Sequence, residues 1–303
     1  MALAYCILAH KNPAQLARLL RAIAHPGNVY AVHYEKRAPH SEHEAVARLS
    51  REQPGAFLLP ARAILWGRFS QIGAQMEGIR RCLEADPNWT HCITLSGQDF
   101  PLVPQAEMIA QLAAAPERSF LSFFDPFAEP VWSNLAERIG RVHLDSAALE
   151  DILGIPFFGR RLRQLCGWRD RMPVVPFAKR RLPPWLRYMG GSNHVILARE
   201  AAAYLVGDPA ALRIIEWLKY SGHPDESIFQ SVLCHSPFAE KLVNDDRRAI
   251  CWEKAGSPNP RTLTASHLPW LREARKKGNL FARKFDPSVD DEVIHEMEKD
   301  LNL

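Results

Sequence analysis

The sequence lacks several motifs that would place it in a mechanistic class. It contains no Gly-rich dinucleotide fingerprint, no P-loop, no Gly-x-Ser-x-Gly elbow and no His-Glu-x-x-His helix. These absences argue against dehydrogenases, P-loop kinases, serine hydrolases and zincin proteases. An Asp-x-Asp is also missing, and the nearest approach is Glu84-Ala85-Asp86 at a predicted helix end. A metal–diphosphate site built on paired acids is therefore not indicated, and we expect no metal cofactor.

Cysteine is present but scattered, with no Cys-x-x-Cys pair that would indicate a zinc knuckle. In a chain that we expect to be cytoplasmic, most cysteines are predicted to be buried thiols. The six residues are Cys6, Cys82, Cys92, Cys166, Cys234 and Cys251.

Long apolar runs are also missing, since no stretch approaches the roughly 20 residues of a membrane-spanning helix. Residues 1–13 have a short apolar run and no basic start, so we do not interpret them as a signal peptide. We expect a cytoplasmic protein, and peripheral membrane association through local basic patches stays open. The net charge is only +4, and no basic-aromatic face is evident, so no nucleic-acid partner is expected.

The first part of the chain alternates between strand-like and helix-like patterns. An apolar run at residues 2–9 is followed by a helical pattern, a turn and a β-branched and aromatic strand at 29–33. This β-α-β opening is typical of a parallel sheet. We predict one α/β domain over residues 1–303, with a nucleotide-type half at 1–124 and a second half at 125–303 that completes the pocket.

Three further stretches of the chain have distinct patterns. An amphipathic helix is predicted from Trp66 to Leu83. The loop Ser96-Gly97-Gln98-Asp99-Phe100-Pro101 follows a short strand, at the sheet edge where open α/β sheets bind ligands. Residues 125–187 are rich in Pro, Arg and Trp and poor in periodicity, and long irregular stretches inside compact domains are usually functional or mobile.

Asp225 and Glu226 form a pair of acids after the turn Gly222-His223-Pro224. Because this turn interrupts the helical pattern before it, the acids lie at or near a helix start, and the pattern resumes at Ser227. One interpretation is an N-cap plus a first-turn acid, where unpaired N–H groups favour negative charge. The other is a carboxylate base held at a pocket edge. The local sequence favours the cap and leaves the base open.

Candidate cations lie near the C-terminus. Arg248 precedes a strand-like run, and Lys284 is flanked by two phenylalanines that would hold it in place. Arginine and lysine converging on a diphosphate can replace a divalent metal in stabilising a leaving group. The alternative is that Lys284 is a solvated cation paired with Asp286 or Asp290.

A series of these motifs resembles one family, the core-2/I-branching β-1,6-N-acetylglucosaminyltransferases, which also includes the peptide O-xylosyltransferases. The motifs follow in fitting order over nearly the whole chain. They are residues 4–11 with 19–23, Val32-His33-Tyr34-Glu35-Lys36, Trp66-Gly67, Ser96-Gly97-Gln98-Asp99-Phe100-Pro101-Leu102, Gly191-Ser192, Pro224-Asp225-Glu226 and Leu280-Phe281-Ala282-Arg283-Lys284-Phe285-Asp286.

The resemblance implies a GT-A-type glycosyltransferase fold, with a Rossmann-like, mostly parallel sheet flanked by helices. It also implies metal-independent inversion at the sugar carbon by a single displacement. Glu226 then matches the catalytic base, which takes the proton from the acceptor hydroxyl, while Asp225 keeps the cap role. Lys284 matches the lysine that binds the donor diphosphate. Its partner arginine is best matched by Arg248, with Arg261 as the alternative because the intervening loop differs in length.

Further site residues are implied in the same way. Glu35 is expected near the nucleoside, although it stands where the family usually has Asp. His10 is also expected near the nucleoside, and Asp99 near the donor sugar. The residues expected to contact the acceptor are Arg138, Gly191 and Ser192.

The expected substrates are a UDP-sugar donor, carrying GlcNAc or xylose, and a hydroxyl of a glycan or glycoconjugate. The C-terminal motif is closer to the xylosyltransferase branch, which does not settle the donor. An alternative is a catalytically inactive sugar-binding protein of the same fold, with tryptophans of the irregular segment stacking on sugars. The candidates are Trp132, Trp168 and Trp185.

Overall fold

The computed structural model describes residues 1–129, 131–143, 145, 174–253 and 259–303, with the backbone alone for 174–178. Two residues of interest, Cys166 and Trp168, lie outside this part of the chain. Among the described cysteines, Cys6, Cys82 and Cys92 are buried free thiols, as predicted, and Cys234 and Cys251 are partly buried.

A mostly parallel sheet forms the centre of the molecule. Its spatial order within the described residues is β10-β6-β9-β4-β1-β2-β3, and only β9 runs antiparallel to its neighbours. The strands are β1 (Ala2–Ala9), β2 (Val29–Tyr34), β3 (Ala56–Leu58), β4 (Trp89–Ser96), β6 (Ser119–Leu121), β9 (Val195–Ala198) and β10 (Leu242–Asn244). The predicted α/β architecture with a mostly parallel sheet is confirmed.

Two smaller sheets complete the strand set. The first has the order β11-β12-β5, and the second is the antiparallel pair β7-β8. Their strands are β5 (Phe100–Pro101), β7 (Arg141–His143), β8 (Val174–Lys179), β11 (Arg248–Ile250) and β12 (Phe281–Arg283).

Helices cover both faces of the central sheet. In chain order they are α1 (Pro13–Ala22), α2 (His40–Glu52), α3 (Phe69–Ala85), α4 (Gln105–Ala113), α5 (Leu135–Gly140), α6 (Arg199–Gly207), α7 (Pro209–Leu218), α8 (Ile228–Cys234), α9 (Leu268–Lys276) and α10 (Glu292–Asp300). None of the described helices has the length and apolar content needed to cross a bilayer.

The alternation of side chains along β1 divides the core into two layers. Ala4 and Cys6 pack into one cluster with α3, α6, α7 and α8, whereas Leu3, Tyr5 and Ile7 pack into the other with α1 and α4. Successive side chains of a strand point to opposite faces, so a strand that is apolar throughout is buried on both sides. The result is a three-layer arrangement of helices, sheet and helices.

Several predicted boundaries were wrong, and one of them matters for the site. Helix α3 begins at Phe69 rather than at Trp66, because Gly67 has a positive φ of 68° and Arg68 is extended. Trp66 therefore lies in the loop before the helix. In the stretch predicted to be irregular, the structure has α5 and the β7-β8 pair. Helix α2 was not predicted, since it buries only Val46 and Ser50 and carries little apolar periodicity.

The two predicted halves share the central sheet. Strand β9, from residues after 125, lies between β4 and β6, which come from the first half, and β10 extends the edge beyond β6. The site at the edge of this sheet therefore includes residues from both halves.

Candidate functional site

Two adjoining cavities lie at the carboxyl ends of β1, β2 and β4. The larger cavity has a volume of about 700 Å³ and the smaller one about 490 Å³. Residues at this edge of parallel strands are well placed to bind ligands. The residues that line both cavities are Leu8, Trp66, Gln71, Ser96, Asn259, Pro260 and Arg283.

Glu226 lines the larger cavity, as the base interpretation requires. It ends a short 3₁₀ turn, Pro224–Glu226, and its side chain is 31% exposed. Its Oε2 receives a 2.6 Å hydrogen bond from Arg138 Nη1, and the described residues give its Oε1 no hydrogen bond. The backbone carbonyl of Glu226 accepts from Gly191 N at 2.9 Å. One carboxylate oxygen is thus held in place and the other is available at the cavity.

Arg138 was predicted to contact the acceptor, but the structure places it behind the base. It is 8% exposed and is not among the residues that line the larger cavity. Its guanidinium stacks over the Trp132 ring at 4.1 Å, and its Nε donates to Asn134 Oδ1 at 2.9 Å. Because these contacts and the ion pair with Glu226 hold the guanidinium, Arg138 fixes the position of the Glu226 carboxylate.

Asp225 is buried, and the predicted cap role for it is wrong. Helix α8 begins after Ser227, and the 3₁₀ turn is preceded by His223, so Asp225 is the cap of neither element. Its Oδ2 accepts a 3.4 Å hydrogen bond from Asn193 Nδ2, whereas Oδ1 is buried without a partner. Burial, reinforced by the neighbouring Glu226 carboxylate, raises the pKa of Asp225 to about 7. Asp225 therefore carries a proton under mildly acidic conditions, unlike an ordinary aspartate.

His223 forms the entry to this turn in a left-handed conformation, with φ 50°. Burial, followed by the charge of Arg138, lowers the pKa of His223 to about 4. The imidazole is therefore neutral near pH 7, and it packs against Trp66 and Gly67. The sequence showed a Gly-His-Pro turn here but gave no indication of these contacts.

Gly191 and Ser192 line the larger cavity, which is where residues that contact an acceptor would have to lie. A Cβ at Gly191 would lie 1.9 Å from Ser122 O, so the backbone passes too close for any other residue. Ser192 N donates to Ser122 Oγ at 2.9 Å, and Ser192 Oγ accepts from His194 N at 3.1 Å. Whether either residue touches an acceptor stays a prediction.

Glu35 and His10 line the smaller cavity. Glu35 accepts hydrogen bonds from Arg37 Nε at 2.8 Å and from Ile64 N at 3.0 Å. Although partial burial opposes ionisation, these hydrogen bonds outweigh it and lower the pKa of Glu35. His33 also lines this cavity, with Nε2 accepting from Arg62 N at 3.1 Å.

Lys284 also lines the smaller cavity and has no ion-pair partner in the part of the chain that the structure describes. The alternative that it pairs with Asp286 or Asp290 is wrong. Asp286 pairs with Lys11 at 2.5 Å, and Asp290 caps backbone N–H groups. Burial and then the nearby charges of Arg283 and Lys11 lower the pKa of Lys284. The cavity thus holds positive charge that an anionic ligand would neutralise.

Asp99 lies beneath the cavities and holds Arg283 there. It is fully buried, accepts from Ser96 N at 2.8 Å, and its Oδ1 lies 3.5 Å from Arg283 Nε. His194 contacts the same guanidinium. Burial and then the charge of Arg283 lower the pKa of the His194 imidazole well below its usual range. The sequence reasoning missed both Arg283 and His194. The proximity of Arg283 to the predicted Lys284 was the available signal.

The two candidate diphosphate arginines differ in exposure. Arg248 is 7% exposed, donates to Thr94 O at 3.1 Å and Asp246 O at 3.3 Å, and lies outside both cavity linings as far as the described residues show. Arg261 follows the cavity-lining Pro260, and its side chain is 48% exposed, with a 3.9 Å contact to Glu253 as its ion pair among the described residues. Neither arginine lines a cavity as far as the described residues show, so which of them binds the diphosphate stays a prediction.

A model of the Core-2/I-branching enzyme family matches residues 3–272. The chain belongs to this family. The predicted resemblance is therefore confirmed, and so is the prediction of a glycosyltransferase.

Known members of the Core-2/I-branching family resemble this chain at low identity. The β-1,3-galactosyl-O-glycosyl-glycoprotein β-1,6-N-acetylglucosaminyltransferase 4 of Danio rerio is 24% identical over 321 residues, which cover 99% of this chain and 69% of that protein. Xylosyltransferase 2 of Bos taurus is 26% identical over 318 residues, which cover 98% of this chain and only 33% of that protein. The similarity thus extends to relatives named for two different sugar transfers.

A solved structure from Bacillus anthracis, assigned as a glucose-1-phosphate thymidylyltransferase in complex with sucrose, overlaps 70% of this chain and 78% of its own. The TM-score is 0.30 and the identity 9%, which is too little similarity to support an argument about this Core-2/I-branching enzyme.

In the part of this chain that the structure describes, no group of three or more His, Cys, Asp or Glu side chains is arranged to hold a metal ion.

Proposed function

We propose that this enzyme transfers GlcNAc or xylose from a UDP-sugar to a hydroxyl of a glycan or glycoconjugate, with inversion and without a metal, on a GT-A-type fold. The choice of sugars follows the names of the relatives, which are N-acetylglucosaminyltransferases and a xylosyltransferase. The observation that carries the proposal is the pair of adjoining cavities. The Glu226 carboxylate lies in one, and Lys284, which has no ion-pair partner among the described residues, lies in the other.

In the proposed step, the acceptor hydroxyl occupies the larger cavity next to Glu226. Its proton moves to the carboxylate as its oxygen forms a bond to the anomeric carbon. The bond from that carbon to the diphosphate breaks on the opposite face, so the configuration inverts and UDP leaves. Because Arg138 already holds Oε2, the proton goes to Oε1, which has no other partner among the described residues.

The diphosphate is assigned to the cations of the smaller cavity. Lys284 and Arg283 line it, and Arg261 follows Pro260 at its wall. Positive groups held in advance at the leaving group stabilise the charge that develops as the bond breaks. We propose that no metal is needed because these cations can stabilise the negative charge of the diphosphate in its place.

A donor screen by UDP release tests the proposal. We expect turnover with UDP-GlcNAc or UDP-xylose, a lower rate with UDP-glucose and UDP-galactose, and no loss of activity in EDTA. The same rate with all four donors would contradict the choice of sugars, and strict dependence on added Mn²⁺ would contradict the metal-free mechanism. UDP-sugar binding without release of UDP would support the inactive sugar-binding alternative instead.

Changes at the diphosphate cations should affect UDP binding. Hydrogen bonds to charged groups contribute about 1.5–3 kcal/mol, so Lys284→Ala and Arg261→Ala are each expected to weaken UDP binding about 10- to 100-fold in calorimetric titrations. The exposed surface change Lys299→Ala is the matched control and should bind UDP like the wild type.

Arg248→Ala gives the contrasting result in the same series. Because Arg248 is buried and bonds to the carbonyls of Thr94 and Asp246, its loss should lower the melting temperature. A selective loss of UDP affinity in a stable Arg248→Ala protein, with none in Arg261→Ala, would assign the diphosphate to Arg248 instead.

A further inference from the structure

Residues 64–67, which precede α3, lie between the two cavities. Ile64 lines the smaller cavity, and Trp66 lines both. The indole of Trp66 is 66% exposed. Because the ring lines both cavities, a ligand in either of them is placed to cover it.

One end of this segment is tied to the predicted nucleoside residue. Ile64 N donates to Glu35 Oε2 at 3.0 Å, while Arg37 binds the other oxygen of Glu35 and donates to Ile64 O. One hydrogen-bond network thus joins the Glu35 carboxylate, the Arg37 guanidinium and both backbone groups of Ile64. A ligand that contacts Glu35 acts directly on the backbone of this segment.

The other end contacts the turn that carries the base. The Trp66 ring meets His223 edge to face, with ring centroids 5.0 Å apart and an interplanar angle of 80°. At Gly67, where φ is +68°, a Cβ would lie 2.7 Å from His223 Nδ1, so the backbone can approach the imidazole this closely only with glycine. His223 in turn accepts a 3.1 Å hydrogen bond from Glu226 N.

We propose that Trp66 is a positioning residue, which couples nucleotide binding in the smaller cavity to the turn 223–227 that presents Glu226. A nucleotide that engages Glu35 fixes residues 64–67, and Trp66 and Gly67 then hold His223 and the backbone of the base. This inference rests on the proposed function, because it takes the smaller cavity as the UDP site. Coupling is reciprocal, so the ordered turn also favours donor binding.

Hydrogen–deuterium exchange with UDP alone as the probe tests this coupling without a known acceptor. At saturating UDP, we expect the amides of His223 and of residues 225–227 to exchange up to about fivefold more slowly, which is the low end of couplings between two sites. At saturating UDP, Trp66→Ala should lose this protection, and reciprocity sets the accompanying loss of UDP affinity at about the same factor. Trp66→Phe, which keeps an aromatic ring against His223, should retain most of the protection. Trp185→Ala removes an exposed tryptophan that lines neither cavity, and should behave like the wild type.

The possible results separate this inference from the proposed function. UDP binding without slower exchange at 223–227, or equal protection in Trp66→Ala and the wild type, would overturn the coupling and leave the proposed function intact. A wild-type protein that binds no UDP would overturn both. Loss of protection in Trp66→Ala with retention in Trp66→Phe would establish the positioning role.

Discussion

Glu226→Gln is expected to lower turnover by about 10²–10⁴-fold, which is the usual contribution of a well-placed general base. The amide cannot accept the acceptor proton, but its oxygen can still receive the hydrogen bond from Arg138, so the turn should keep its structure. UDP binding should remain nearly unchanged, because Glu226 lies in the larger cavity and Lys284 in the smaller one. Steady-state rates, with UDP affinity measured in parallel, check this result.

The matched control for this change is Glu240→Gln, an exposed acid outside both cavities. It should leave turnover at the wild-type level. If Glu226→Gln were equally active, the proton would have another acceptor, and the assignment of the base would fail. Asp225 would then be the first carboxylate to examine, since it also lines the larger cavity.

Asp225→Asn is expected to make the protein more stable at pH 8, by about 4 kcal/mol at most. The pKa of Asp225 is about 7 in the folded protein and 3.8 is its ordinary value, and each pKa unit corresponds to about 1.4 kcal/mol. Between these values the unfolded chain has lost its proton while the folded protein keeps it. The wild-type free energy of unfolding therefore falls as pH rises from about 4 to 7, and levels off above 7.

The asparagine variant has no proton to lose at this site, so its advantage should be smallest near pH 4 and largest above pH 7. Denaturant unfolding at pH 4.5, 6 and 8 measures this difference. Glu52→Gln, at an exposed acid in α2, gives the baseline for removing a surface carboxylate at the same three pH values. A constant difference between Asp225→Asn and the wild type across this range would show that Asp225 is ionised throughout.

Much of the fold could be predicted because its signals are local. The apolar run of β1 and the spacing of Leu16, Leu19 and Leu20 in α1 report burial directly, and Asn12 and Pro13 mark the helix start. The location of Glu226 in a cavity was predictable only from the order of motifs along the chain. Its local sequence favoured a helix cap.

The arginines show what the sequence could not provide. In the parallel pair β11-β12, Ile250 lies opposite Arg283 and Arg248 lies opposite Phe281. Ile250 and Arg283 both line the larger cavity. Arg248 and Phe281 lie two residues earlier in their strands, or about 7 Å further from the cavity edge of this sheet. This depth depends on where the strands end and how they pair. Arg248 and Arg283 therefore differ in their access to the cavity, although both lie in short strands of the same sheet.

The position of β9 between β4 and β6 also bears on how this enzyme can be divided or recombined. A fragment that stopped near residue 124 would leave β4 and β6 without the strand that joins them, and two unpaired strand edges promote aggregation. Chimaeras with other family members are therefore better joined in surface loops that leave β9 paired. Donor and acceptor preferences would then be exchanged by replacing loops at the cavity walls, within one intact sheet.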